Sequence, residues 1–358
     1  MIKHQITHQL PPSENNPRNS EGAFLRGKNG EILFAYSRYT GDSIHDHASC
    51  DIALITSKDE GEHWSEPRII APASFFGTKN VMSVSSLVQN NGDLAFYFLI
   101  KENDFSTTLG RALSPDGEHF TLQRCRFDCK PAFYVINNDR LVRQKSGRIL
   151  APAAYITAEK NRAHTQTKEI APYMTTLLYS DDDGASFQSV GWEYTSDDSV
   201  NGYYGLQEPG IIEYEDGSLF YWMRTNYGCQ FECESNGDIE CFTLPHAGHF
   251  TSPVSPMQVK EYDGVIYTIY NPIPNYNGRI NQEGTWGRTP FVLRKSEDGK
   301  AFGPLNVIED DESRGYCYPA MFQTRDNCLL VAYCRGDAKD GNTLCRLGIT
   351  KIAIDSIE

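Results

Sequence analysis

Residues 57–64 read Ser57-Lys58-Asp59-Glu60-Gly61-Glu62-His63-Trp64, in the order S-x-D-x-G-x-x-W. The order returns at residues 180–187 (SDDDGASF), with phenylalanine as the aromatic. Copies one residue shorter stand at 114–120 (SPDGEHF) and 296–302 (SEDGKAF), and a decayed one at 235–242 (SNGDIECF). Ser and Asp side chains can accept from backbone NH groups of a tight turn. Glycine supplies a positive φ, and the aromatic packs beneath. Each copy follows a β-rich run such as DIALITS or TTLLYS, so each is expected in a hairpin between two strands, with a structural task.

A second unit is interleaved with the first. A turn glycine leads an apolar strand in NGEILFAY (Gly30), NGDLAFYF (Gly92), SGRILAPA (Gly147), DGSLFYWM (Gly217) and DGVIYTIY (Gly264). In the sixth copy, DNCLLVAY, Asn327 takes the glycine's place; Asn also tolerates the left-handed backbone. Six units of roughly sixty residues, made of strand and turn, predict six four-stranded blades around an axis. No long stretch has helical periodicity, which disfavours a parallel α/β fold. The expectation is an all-β, six-bladed β-propeller forming a single domain over 1–358, with TLCRLGITKIAI helping to close the ring.

Composition limits what the chain does. With 18 Phe and 20 Tyr in 358 residues there is ample apolar surface to bury, which excludes disorder. No run approaches the ~18–20 apolar residues of a membrane span. A net charge of −14 argues against a nucleic-acid or anionic-membrane partner, though it leaves room for a local arginine cluster. MIKHQITHQL lacks a charged segment followed by an apolar core, so we expect no export signal and a cytoplasmic protein. The 10 Cys are then expected as free thiols. Cys229, Cys233 and Cys241 have no matching His pair for zinc. His45-Asp46-His47 with Cys50 carries ligand types, but no metal or cofactor is expected.

A propeller gathers loops from every blade at one end of its axis, so site residues come from far apart in sequence. Several strand units run into arginine: NGEILFAYSR ends in Arg38, DGSLFYWMR in Arg224, WGRTPFVLRKSEDG opens with Arg288, and PRNSEGAF carries Arg18. Here the chain resembles the sialidase (neuraminidase) superfamily over nearly its full length, the repeated turn being similar to that family's Asp-box. LQEPGIIEYEDGSLFYWMR resembles the segment with a glutamate before one strand and an arginine at its end, implying Glu208 and Arg224. The stretch from Arg288 to SRGYCYPAM resembles the segment joining the third triad arginine to the nucleophilic tyrosine, implying Tyr316. SRYTGDSIHDHASCDIALITSKDEG resembles the segment with an arginine and the acid/base aspartate, implying Arg38 and Asp46, with Asp42 and Asp51 as alternatives.

Three features depart from the family. The Y-R-I-P motif of the first triad arginine is absent; Arg18 is the nearest candidate, with Arg26 behind it. Ser83 stands near where many members place an aspartate. VAYCRG lacks the acid that often holds the first arginine, a place Glu21 could take.

The resemblance implies an exo-glycosidase acting on the terminal anionic sugar of a small oligosaccharide. Converging Arg18, Arg38, Arg224 and Arg288 would give a carboxylate charge-assisted hydrogen bonds. A neutral tyrosine avoids the repulsion that a carboxylate nucleophile would meet there, and sialidases are the tyrosine exception among glycosidases. On this reading Tyr316 attacks, Glu208 takes its proton and Asp46 protonates the leaving oxygen. Residues 137–140 (Asn137-Asn138-Asp139-Arg140) are candidates for the pocket wall, and Tyr203, Tyr204, Tyr276 and Trp286 for stacking on sugars. Two alternatives stay open: a hydrolase or lyase for another acidic sugar such as a uronate, and a non-catalytic carbohydrate-binding propeller.

Overall fold

Every glycine-led unit forms the hairpin between the first and second strands of a blade. Gly30, Gly92, Gly147, Gly217 and Gly264 have φ between 76° and 93°, and Asn327 has 58°, so all six turns use the left-handed region. In a computed structural model that describes residues 2–167, 172–195, 205–276 and 283–358, these hairpins organise six blades, antiparallel except where Arg126–Asp128 pairs in parallel with Ser186–Ser189.

Blade I comprises Asn19–Arg26, Ile32–Tyr39, Cys50–Ser57 and Arg68–Ala71; blade II comprises Val81–Val88, Leu94–Asn103, Ser106–Ser114 and Thr121–Arg124. Blade III is built on Ala132–Val135, Ile149–Thr157, Met174–Ser180 and Ser186–Ser189, with short strands Arg126–Asp128 and Val142–Arg143 added and the helix Ala158–Thr167 inserted. Blades IV (Gln207–Glu213, Leu219–Arg224, Cys229–Ser235, His246–Thr251) and V (Gln258–Tyr262, Val265–Tyr270, Phe291–Ser296, Asn306–Glu309) follow. Blade VI takes Cys317–Gln323, Cys328–Cys334 and Leu347–Ala353 from one end of the chain and its outermost strand, His4–Leu10, from the other. His4 pairs with Ile352 and Leu10 with Leu347, which seals the ring. The C-terminal strand is therefore third in its blade, with residues 4–10 outside it.

The S-x-D-x-G turns join third and fourth strands in blades I to V. In blade I the Gly61 amide donates to Ser57 Oγ at 2.9 Å and the His63 amide to Asp59 Oδ1 at 2.9 Å. Ser114 and Asp116, Ser180 and Asp182, and Ser296 and Asp298 repeat the arrangement. Blade VI has no copy because no chain segment joins its third strand to its fourth.

Apolar clusters fill the interfaces between neighbouring blades. Leu33 and Ala35 meet Phe96 and Phe98 between blades I and II; Phe24 and Phe34 meet Leu330 and Ile349 between VI and I. A blade buried on both faces explains why its second strand is apolar without alternation, as in LAFYFLI.

One irregularity positions the site. The first strands of blades I, II, IV and VI each slip register near their start, between Ser20 and Gly22, Met82 and Ser85, Gln207 and Gly210, and Cys317 and Ala320. Within the four slips lie Glu21, Ser83, Glu208 and Tyr318, with φ of 53°, 60°, 45° and 55°. Left-handed backbone costs a non-glycine residue ~1–2 kcal/mol, and a bulge re-aims its side chain.

Candidate functional site

All four slipped residues line one cavity of about 730 Å³, to which every blade contributes. Glu208 and Arg224 form an ion pair within it. Arg224 ends the second strand of blade IV in register with Gln207 of the first, bringing its Nη1 to 2.6 Å from Glu208 Oε2. The Tyr318 hydroxyl donates to the other oxygen, Oε1, at 2.8 Å. Burial alone would raise the Glu208 carboxyl, but Arg224, Arg288 and the Tyr318 hydroxyl outweigh it and hold it below the usual range. Burial and the Glu208 charge push the Tyr318 phenol well up. The pair is thus a neutral phenol with its proton aimed at an ionised carboxylate.

Arg288 stands beside it. Its Nε donates to the Val254 carbonyl at 3.2 Å and Nη1 to Cys317 Sγ at 3.1 Å. The guanidinium carbon lies 5.0 Å from the Trp286 ring centre and 5.7 Å from that of Tyr318. Arg224 and Arg288 therefore both act on the phenol, one from blade IV and one from blade V.

Asp46 comes from the loop after the second strand of blade I. The Asn80 side chain holds the loop by donating to the carbonyls of Asp46 (3.1 Å) and Ala48 (2.6 Å), and Lys101 also donates to the Asp46 carbonyl. The Asp46 side chain is 61% accessible within the open mouth of the cavity, and Arg18 Nη1 reaches it at 2.6 Å. Desolvation by the surrounding walls raises its carboxyl, yet Arg18 and Lys101 prevail and hold it down at about 2. Glu21 shows the opposite balance. It is 4% exposed, and burial lifts it to about 7 against the pull of Arg18.

The structure brings Glu208, Asp46, Arg224 and Arg288 together at the cavity, and corrects three other placements. Tyr316 lies in the core between blades V and VI, 6.2 Å from the rings of Phe291 and Tyr333, and of these two neighbours it is Tyr318 that lines the cavity, with Tyr134 and Tyr173 elsewhere on its wall. Alternation along a strand cannot rescue the choice, because Tyr318 sits inside the register slip and Tyr316 precedes it. Arg18 is buried behind the wall, engaged with Ser20, the Ile44 carbonyl and Asp46. Arg38 sits in register with Asn19 and Asp51 in blade I and does not line the cavity. Among the alternatives, Arg26 pairs with Glu60 at 2.6 Å, Asp51 caps the Ala73 amide at 2.8 Å, and Asp42 lies outside the lining.

Asn137 lines the cavity, Asn138 bridges backbone carbonyls of blades I and VI, and Asp139 and Arg140 are tied to Lys260 and Gln258. Trp286 lines the wall, Tyr276 does not, and Tyr203 and Tyr204 lie outside the described residues.

A signal for Tyr318 was present. Glu21, Ser83, Glu208 and Tyr318 each stand nine residues before their turn residue, at Gly30, Gly92, Gly217 and Asn327. Glu208-Pro209-Gly210 and Tyr318-Pro319-Ala320 also share a local pattern, which Tyr316 does not.

All ten cysteines are free, and among the described residues no three His, Cys, Asp or Glu side chains converge as metal ligands. No described helix is long and apolar enough to cross a membrane.

The family model for the BNR repeat-like domain matches residues 46–331. The chain belongs to the BNR repeat-like family. Its fold is similar to the Hadza microbial sialidase Hz136, at 13% identity and a TM-score of 0.74 over 96% of this chain and 67% of that one. It is also similar to the NanB sialidase from Streptococcus pneumoniae, at 12% identity and a TM-score of 0.68 over 99% and 71%. The α-L-arabinanase of Penicillium chrysogenum shares the fold at 13% identity and a TM-score of 0.62 over all of both chains. No curated protein matches by sequence.

Proposed function

We propose that this BNR repeat-like protein is a retaining exo-glycosidase for a sugar with a carboxylate at or next to its reacting carbon, as in sialic acids. The observation that carries the reading is the Tyr318–Glu208–Arg224 chain of contacts, with the Arg288 guanidinium 5.7 Å from the Tyr318 ring. A carboxylate bound by the two guanidiniums would lie beside Tyr318 Oη. That favours an acid on the anomeric carbon over a uronate, whose acid is on C5, across the ring oxygen from the reacting carbon. The sialidases among its structural neighbours support the same class.

In this scheme Tyr318 Oη attacks the anomeric carbon as the glycosidic C–O bond breaks, and Glu208 takes the phenol proton. Asp46 gives the leaving oxygen its proton and then activates water. Because Arg18 holds Asp46 ionised, it carries that proton only once the bound sugar relaxes their 2.6 Å contact. The test is hydrolysis of a fluorogenic α-sialoside by the wild type and by Tyr318→Phe. Release by the wild type alone supports the reading; equal release by both removes Tyr318 from the chemistry.

A further inference from the structure

Glu21 is the second carboxylate that a register slip aims into the cavity, and the scheme above leaves it without a task. Its Oε2 accepts from Ser83 Oγ at 3.1 Å. Its Oε1 has Arg18 Nη2 at 3.9 Å, beyond hydrogen-bond range, while Arg18 Nε and Nη1 are engaged elsewhere. The slips of blades I and VI are neighbours around the axis: one Asn138 amide donates to both the Gly22 carbonyl at 3.1 Å and the Tyr318 carbonyl at 3.2 Å. Tyr318 is therefore flanked by guanidiniums from blades IV and V on one side, and by Glu21 with Ser83 from blades I and II on the other.

This sidedness constrains a ligand. An anionic group beside Glu21 would meet a buried carboxyl whose neighbouring guanidinium, Arg18, already pairs with Asp46 at 2.6 Å, whereas a hydroxyl or ammonium group would satisfy Oε1. We infer that Glu21 and Ser83 form a subsite for a hydroxyl or ammonium group of the sugar, across Tyr318 from Arg224 and Arg288, and so fix which way round an acidic sugar enters. The inference rests on the glycosidase reading and adds a specificity-determining residue to it.

Calorimetric titration with N-acetylneuraminic acid and with galacturonic acid, on the wild type, Glu21→Leu, Glu21→Gln and Ser83→Ala, tests it. For whichever acid the wild type binds, Glu21→Leu weakens binding about tenfold or more, the factor one hydrogen bond to a charged group supplies. Glu21→Gln, which keeps an oxygen acceptor and the shape, recovers part of that loss, and Ser83→Ala weakens binding with the fold unchanged. On a glycoside that is turned over, the variants raise KM and leave kcat nearly untouched; a merely structural Glu21 would lower the melting temperature and kcat together. Folded Glu21→Leu and Ser83→Ala that bind as the wild type does overturn the subsite alone. If Glu21→Leu does not fold, unchanged binding by Glu21→Gln and Ser83→Ala overturns it equally. Binding of neither acid by the wild type overturns the glycosidase reading, and the subsite with it.

Discussion

Two tyrosines two residues apart should respond to one substitution in opposite ways. The Tyr318 hydroxyl donates at 2.8 Å to the ionised Glu208 in a buried site. Removing it deletes a hydrogen bond to a charged acceptor, costing about 1.5–3 kcal/mol. The Tyr316 hydroxyl is buried and has no hydrogen-bond partner among the described residues. Phenylalanine there sheds an unsatisfied polar atom and should be neutral or stabilising by up to ~1 kcal/mol. For a cooperative unit of 358 residues the unfolding entropy converts 1 kcal/mol to about 1.3 °C. Tyr318→Phe should then melt roughly 2–4 °C below the wild type, and Tyr316→Phe at or about 1 °C above it. Turnover of a fluorogenic α-sialoside should fall on the order of a thousandfold or more in Tyr318→Phe and be unchanged in Tyr316→Phe. Calorimetric melts and initial rates on the same preparations decide the matter. A Tyr316→Phe protein that loses both stability and turnover beside an intact Tyr318→Phe would refute the assignment.

Three further outcomes are expected. Arg224→Met leaves Glu208 without its closest cation and should lower stability by about 3 kcal/mol; adding Glu208→Gln should restore part of it, as melting the single and double variants will show. Glu21, lifted by burial from its ordinary 4.5 to about 7, favours the folded state when protonated. That contribution is fully present below pH 4.5 and is lost as pH rises through 7, a span of roughly 3 kcal/mol. Wild-type melting temperature should therefore fall relative to Glu21→Gln between pH 5 and 8, and parallel pH profiles would contradict this. Asp59→Ala removes the acceptor for the His63 amide in the blade I turn, and should cost about 1 kcal/mol while leaving turnover alone.

The sequence made the scaffold legible because turn chemistry is local. Gly30, Gly92, Gly147, Gly217, Gly264 and Asn327 mark the same hairpin in six blades, and the Ser and Asp turns mark another in five. Glu208, Arg224, Arg288 and Asp46 were legible through the segments around them. Tyr316 misled because a register slip is invisible to strand alternation; the nine-residue spacing to Asn327 and the proline that follows, as in Glu208-Pro209, distinguish Tyr318 from it. Arg18 misled for another reason. Its partners, Ser20, the Ile44 carbonyl and Asp46 from a loop 28 residues on, hold it behind the wall, and no local pattern announces them. The outer strand of blade VI was missed because HQITHQL alternates weakly, and its partner lies at the far end of the chain.

That last strand also sets an order of events. Blades I to V are each continuous in sequence, so their hairpins can close soon after they leave the ribosome. Residues 4–10 must wait, already made and unpaired, until residues 347–353 arrive. Closing a loop of that length costs about 5 kcal/mol in chain entropy. The closure becomes favourable only when the apolar walls of blades I, V and VI are present to meet it. An early edge strand left open that long is a surface on which chaperones, or a second nascent chain, can act before the ring exists.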